Sequence, residues 1–132
     1  MNLEHIITAL LTSPVTGGVI FYIVGKIMLR YPPKWPNYYY GYRTLSSLKT
    51  KESFEEANKF SAVLMIRYGI WMMVAGIICT IFFYEKYWYL FLGITLGSLV
   101  ASVVLLIIKT ERHLSKLFDK NGKPVARKGD RF

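Results

Sequence analysis

Residues 61–84, SAVLMIRYGIWMMVAGIICTIFFY, form an apolar run long enough to cross a hydrocarbon core as one helix, which takes roughly 20 residues. Residues 6–30 and 87–108 repeat that character on either side. The sequence therefore predicts an all-α integral membrane protein, a three-helix bundle forming a single domain over residues 1–132. Hydrophobic residues make up 53% of the chain, yet its net charge is +9; a membrane protein reconciles the two by separating them in depth.

The 17 Lys and Arg residues are unevenly placed. Seven lie from Lys26 to Lys59 and eight from Lys109 to Arg131, while Arg67 sits inside the second run and Lys86 in the short link after it. Basic residues near span ends stay on the cytoplasmic face, so the connection 31–60 and the basic tail 119–132 are expected inside, with the N-terminus and the Glu85-Lys86 turn outside. The first apolar run has no basic segment before it and no small-residue cleavage site, and reads as a retained helix. Cys79 is a single cysteine within the second run, so no disulfide framework or multi-cysteine metal site is expected, and no cofactor.

Ser13-Pro14 has the form of an N-cap followed by a first helical residue, which leaves two readings of the first span: a short outer helix before a span from Pro14, or one kinked helix. Gly17, Gly18 and Gly25 mark places where another helix approaches closely. In the third span Gly93, Gly97 and Ala101 recur at intervals of four and offer a column of small residues either to the second span or to a second copy of the chain. That helix is expected to extend into the cytosol through Phe118, with a turn at Asn121-Gly122 and then a flexible basic segment carrying Lys123, Arg127, Lys128 and Arg131 that favours anionic membrane lipid. Topology accounts for the charge, so no nucleic-acid partner is inferred.

The connection opens with Tyr31-Pro32-Pro33-Lys34-Trp35-Pro36, where the prolines stop helix continuation and the aromatic rings suit the membrane boundary. Gly41 supplies a tight turn among bulky neighbours. Ser53 and Glu56 have capping-box spacing, with Thr50 as an alternative cap, and Lys51-Glu55 and Glu55-Lys59 can pair at i,i+4. An interfacial amphipathic helix is thus expected to lead into the second span.

Pro32-Pro33-Lys34, Asn37, Tyr40-Gly41-Tyr42-Arg43-Thr44, Ser47, Lys49, Glu52, Ala57 and Asn58 together resemble the signature of the SdpI-type bacterial immunity membrane proteins. Phe54 departs from the tryptophan usual there, keeping an aromatic ring but losing the indole N–H. The resemblance implies a protein of the bacterial cytoplasmic membrane that protects its cell from a secreted antimicrobial peptide and helps signal that peptide's presence. The known immunity protein of the family has more spans than this chain.

Candidate residues for binding a ligand or partner are Asn37, Gly41, Tyr42, Arg43, Thr44, Ser47, Lys49, Phe54, Asn58 and Arg67. Arg43 leads, since a guanidinium at the boundary offers several donors to a carboxylate or phosphate; it would equally serve to anchor the loop on helix-end carbonyls. Arg67 either snorkels or turns inward to pair with Glu52, Glu55 or Glu56. An enzyme is not expected: His5 and His113 fall on opposite sides of the membrane, and no phosphate loop, nucleophile elbow or zinc signature is present. Two functional classes remain. One is immunity through binding of a toxin peptide, lipid or cytoplasmic regulator; the other is a small oligomeric transporter or channel subunit.

Overall fold

In the computed structural model, the described residues, 2–36 and 39–125, form helices α1 (Leu3–Leu11), α2 (Pro14–Arg30), α3 (Lys51–Phe83) and α4 (Trp88–Leu117). Asn37 and the tail bases Arg127, Lys128 and Arg131 lie outside the described residues. Helices α3 and α4, of 33 and 30 residues, are each long and apolar enough to cross a membrane, and the pair α1–α2 meets the same criterion when taken together across its bend.

The bend follows from local chemistry. Pro14 has no N–H with which to continue the ladder of α1, and Ser13 turns extended and accepts a hydrogen bond from the Val15 amide at 3.1 Å, starting α2 afresh. The axes of α1 and α2 differ by 57°, so both readings of the first span contain part of the answer: two helices, joined at a sharp corner.

Helix α3 runs antiparallel to α2, and glycine decides how near they come. A Cβ on Gly18 would meet the Gly69 carbonyl oxygen at 2.6 Å, and one on Gly69 would meet the Gly18 oxygen at the same distance. Ala62 and Gly76, seven residues to either side of Gly69, receive Gly25 and Val15 in the same seam. Helix α4 returns alongside α3. Tyr84, Trp88 and Phe91 stack where the two helices turn, and at the other end Glu56 of α3 meets His113 of α4 at 2.7 Å. That second end, where α2 stops, α3 starts and α4 finishes, is termed the loop end below.

The amphipathic segment leads into the second span as expected, in one uninterrupted helix. Other expectations are corrected. The cap is Thr50, which exchanges hydrogen bonds with Ser53; the Ser53–Glu56 box does not form because Ser53 already lies in the first turn. Glu55 pairs with Lys51 at 3.9 Å rather than with Lys59. Gly93 and Gly97 have nothing within 4 Å of an added Cβ, so their column faces away from α3 instead of packing on it. The segment after α4 is a folded return: the Val125 amide donates to the Leu117 carbonyl at 2.8 Å, Asp119 accepts from the amides of Asn121 and Lys123, and the Thr50 hydroxyl donates to the Gly122 carbonyl at 2.7 Å. Lys123 therefore belongs to a turn docked on the start of α3.

Substituting Gly18 or Gly69 by Leu is expected to force α2 and α3 apart and lower the stability of the detergent-purified protein by about 1–3 kcal/mol, as overpacking does. Thermal unfolding checks this. Gly97→Ala, entering open space, is expected to be neutral or slightly stabilising, because alanine is the better helix former.

Candidate functional site

The connection between α2 and α3 is held by side chains from two helices. Asn58, on the second turn of α3 and only 3% exposed, faces the backbone of Tyr42. Its Oδ1 accepts from the Tyr42 amide at 2.6 Å, and its Nδ2 donates to the Tyr42 carbonyl at 3.2 Å and to the Phe54 carbonyl at 2.8 Å. One amide side chain thereby satisfies both polar groups of a buried loop residue, as a neighbouring strand would. The loop comes this close because residue 41 is glycine: its φ is +105°, and a Cβ there would sit 2.5 Å from Asn58 Oδ1.

Beyond Gly41 burial alternates along the chain. Tyr42 is buried and Thr44 half-buried, while Arg43 between them is exposed. The two inward hydroxyls converge on one oxygen: Tyr42 Oη donates to Glu111 Oε1 at 2.8 Å and Thr44 Oγ1 to the same atom at 2.6 Å. Ser47, fully buried, closes the turn by accepting from the Thr44 amide at 2.8 Å, and its own carbonyl accepts from Ser53 at 3.1 Å. Gly41, Tyr42, Thr44, Ser47 and Asn58 are thus brought into one knot against α3 and α4, and Arg43 projects from its outer surface.

Burial opposes ionisation of Glu111 and is the largest single influence on it. Hydrogen bonds from Thr44, Ser46 and Tyr42, with the positive charge of Lys49, outweigh it and hold the carboxyl below the usual glutamate range. Tyr42 moves the opposite way, first through burial and then because its hydroxyl already donates to an anion. An ionised acceptor between two hydroxyl donors is the stronger kind of hydrogen bond. Beside it, Ser46, Lys49, Glu111, Arg112 and Lys120 line a cavity of about 670 Å³.

The remaining candidate residues lie elsewhere. Phe54 is fully buried, its ring 5.4 Å from that of Trp35 in an edge-to-face contact that fixes the proline-rich segment to α3. Arg67 is exposed on α3 and makes no ion pair with Glu52, Glu55 or Glu56 among the described residues. Glu56 reaches His113 instead, whose ring stacks on Phe60 at 3.9 Å. Glu111 is the residue that sequence reasoning missed. It stands out as the one carboxylate between Trp88 and Leu117, in a helix whose other charges there are all basic.

Fold and site together define a helical membrane protein with a fastened polar connection at one end of its bundle. A model of the SdpI/YfhL protein family matches residues 34–109, which include that connection, α3 and most of α4. The chain is also 31% identical over 117 residues to "Uncharacterized protein YfhL" of Bacillus subtilis (strain 168), an alignment covering 82% of this chain and 91% of that protein. The chain belongs to the SdpI/YfhL family. No solved structure matches it.

Because the folded-state pKa of Glu111 is depressed, its contribution to holding the connection is present above the usual glutamate range and is lost as pH falls through the folded value. Protease resistance of residues 39–50 is therefore expected to fall in acid for the native chain. In Glu111→Gln, resistance should start lower and vary less with pH over the same window. Asn58→Ala, which strands two buried backbone groups of Tyr42, should cost about 1–3 kcal/mol in thermal unfolding.

Proposed function

We propose that this chain crosses the bacterial cytoplasmic membrane three times, N-terminus outside and C-terminus inside, and gives its cell immunity to a membrane-active peptide by engaging that peptide at the loop end. Family membership supports the membrane setting, and the concentration of basic residues around the connection and after α4 supports the orientation.

The observation that carries the proposal is the alternation at residues 42–44. Two neighbours are fastened inward on Glu111, so Arg43 is presented outward on a rigid backbone rather than on a mobile loop. A guanidinium positioned in this way loses little conformational freedom when it meets a carboxylate or a carbonyl cluster, and preorganisation of that kind favours affinity.

The test is survival of deletion cells under a panel of membrane-active peptides, with the native chain, Arg43→Ala or an empty vector restored. Loss of one charge-assisted contact, about 1.5–3 kcal/mol, corresponds to roughly 10- to 100-fold weaker binding, so Arg43→Ala at equal membrane abundance should protect far less than the native chain. Equal killing of all three strains would reject immunity towards that panel.

A further inference from the structure

A cavity of about 940 Å³ opens between the C-terminus of α2, the proline-rich segment and the first turns of α3. It touches the Glu111 knot only through Asn58, including neither Arg43 nor Glu111, and its charge is one-sided. Arg30, Lys34, Lys51 and Lys59 line it, against the single carboxylate of Glu55, which is itself paired with Lys51 at 3.9 Å. Four cations less one carboxylate leave three positive charges, those of Arg30, Lys34 and Lys59, all on exposed residues. The cavity is also graded. Met28 and Leu29 form its apolar margin, and Tyr31 and Tyr40 stand at the rim, the Tyr40 hydroxyl donating to the Tyr31 carbonyl at 2.9 Å.

The apolar part of the lining comes from Met28 and Leu29, in the last turn of α2 immediately before Arg30. Cations beside aromatic rings and an apolar margin suit the boundary part of a phospholipid, its phosphate and the glycerol end that follows. The volume lies near the upper end of ordinary small-ligand sites and exceeds what a bare phosphate would fill.

We propose that this α2–α3 groove binds the headgroup of an anionic phospholipid, its phosphate held by Arg30, Lys34 and Lys59 and its glycerol end against Met28 and Leu29. The site is independent of the immunity reading, since it uses neither Arg43 nor Glu111. A bound lipid would wedge the proline-rich segment against α3 and give the connection a second support.

Native mass spectrometry of the full-length protein, released from detergent after mixing with equimolar phosphatidylglycerol and phosphatidylcholine, tests the proposal. The native chain should retain one phosphatidylglycerol with a preference on the order of tenfold, about 1.4 kcal/mol. R30Q/K34Q/K59Q should lose that preference, whereas K116Q/K120Q/K123Q, which removes as much charge beyond the groove, should keep it. Absence of any preference in the native chain, or equal loss in both triple variants, overturns the proposal in favour of general surface attraction. Millimolar inorganic phosphate should leave the lipid in place; displacement by phosphate alone would mean that a free anion is the ligand and would overturn the assignment to lipid.

Discussion

One carboxylate oxygen on α4 organises the loop end. Tyr42 and Thr44 both donate to Glu111 Oε1, so two residues of a connection that the chain enters after α2 are tied to a carboxylate 69 and 67 residues further along, on α4. The tie matters because, among the described residues between Tyr31 and Thr50, this connection has no helix or strand of its own. Its backbone groups need side-chain partners, which Asn58 and Ser47 provide, while Glu111 takes the hydroxyls of Tyr42 and Thr44. With the carboxylate ionised and its two donors in place, Tyr42 can enter the small core of Ala57, Leu64, Leu106 and Leu114 as a satisfied residue.

The bundle is therefore held by two different means along its length. Between α2 and α3 the helices touch backbone to backbone through Gly18 and Gly69, a contact that depends on the absence of side chains. Between α3 and α4 polar and aromatic groups dominate at the loop end, where His113 meets Glu56 and stacks on Phe60, and aromatic rings dominate at the far end. The mid-section of α4 presents Gly93 and Gly97 to its surroundings. Fastening α4 through Glu111 thus couples the placement of the third long helix to the conformation of the loop. Arg43 sits on a segment that its neighbours Tyr42 and Thr44 tie to α4.

Local rules made much of the fold legible in the sequence. Apolar length marked the long helices, Ser13-Pro14 marked the corner between α1 and α2, and Asn121-Gly122 marked the final turn. Gly41 was readable as a turn because few other residues tolerate its backbone angle. What was not legible depends on partners distant in sequence. Thr50 wins the cap over Ser53 partly because its hydroxyl is also needed by Gly122, 72 residues away. Gly18 and Gly25 signal a close neighbour, but only the folded chain shows that Gly69 and Ala62 are what they meet. Glu111 was hidden among the charges of an amphipathic helix end, where a solvated face is the ordinary explanation. The motif residues Tyr42 and Thr44 looked like donors awaiting a ligand; the acceptor they reach is within the chain.

The most direct test is a double-mutant cycle between Tyr42→Phe and Glu111→Ala, read as the free energy of protease-accessible opening of the connection in the purified protein. A hydrogen bond to a charged acceptor predicts that the second substitution costs about 1.5–3 kcal/mol less once the first is present. Strictly additive effects would show that the tyrosine and the carboxylate act independently, and the account of a loop fastened through α4 would be contradicted.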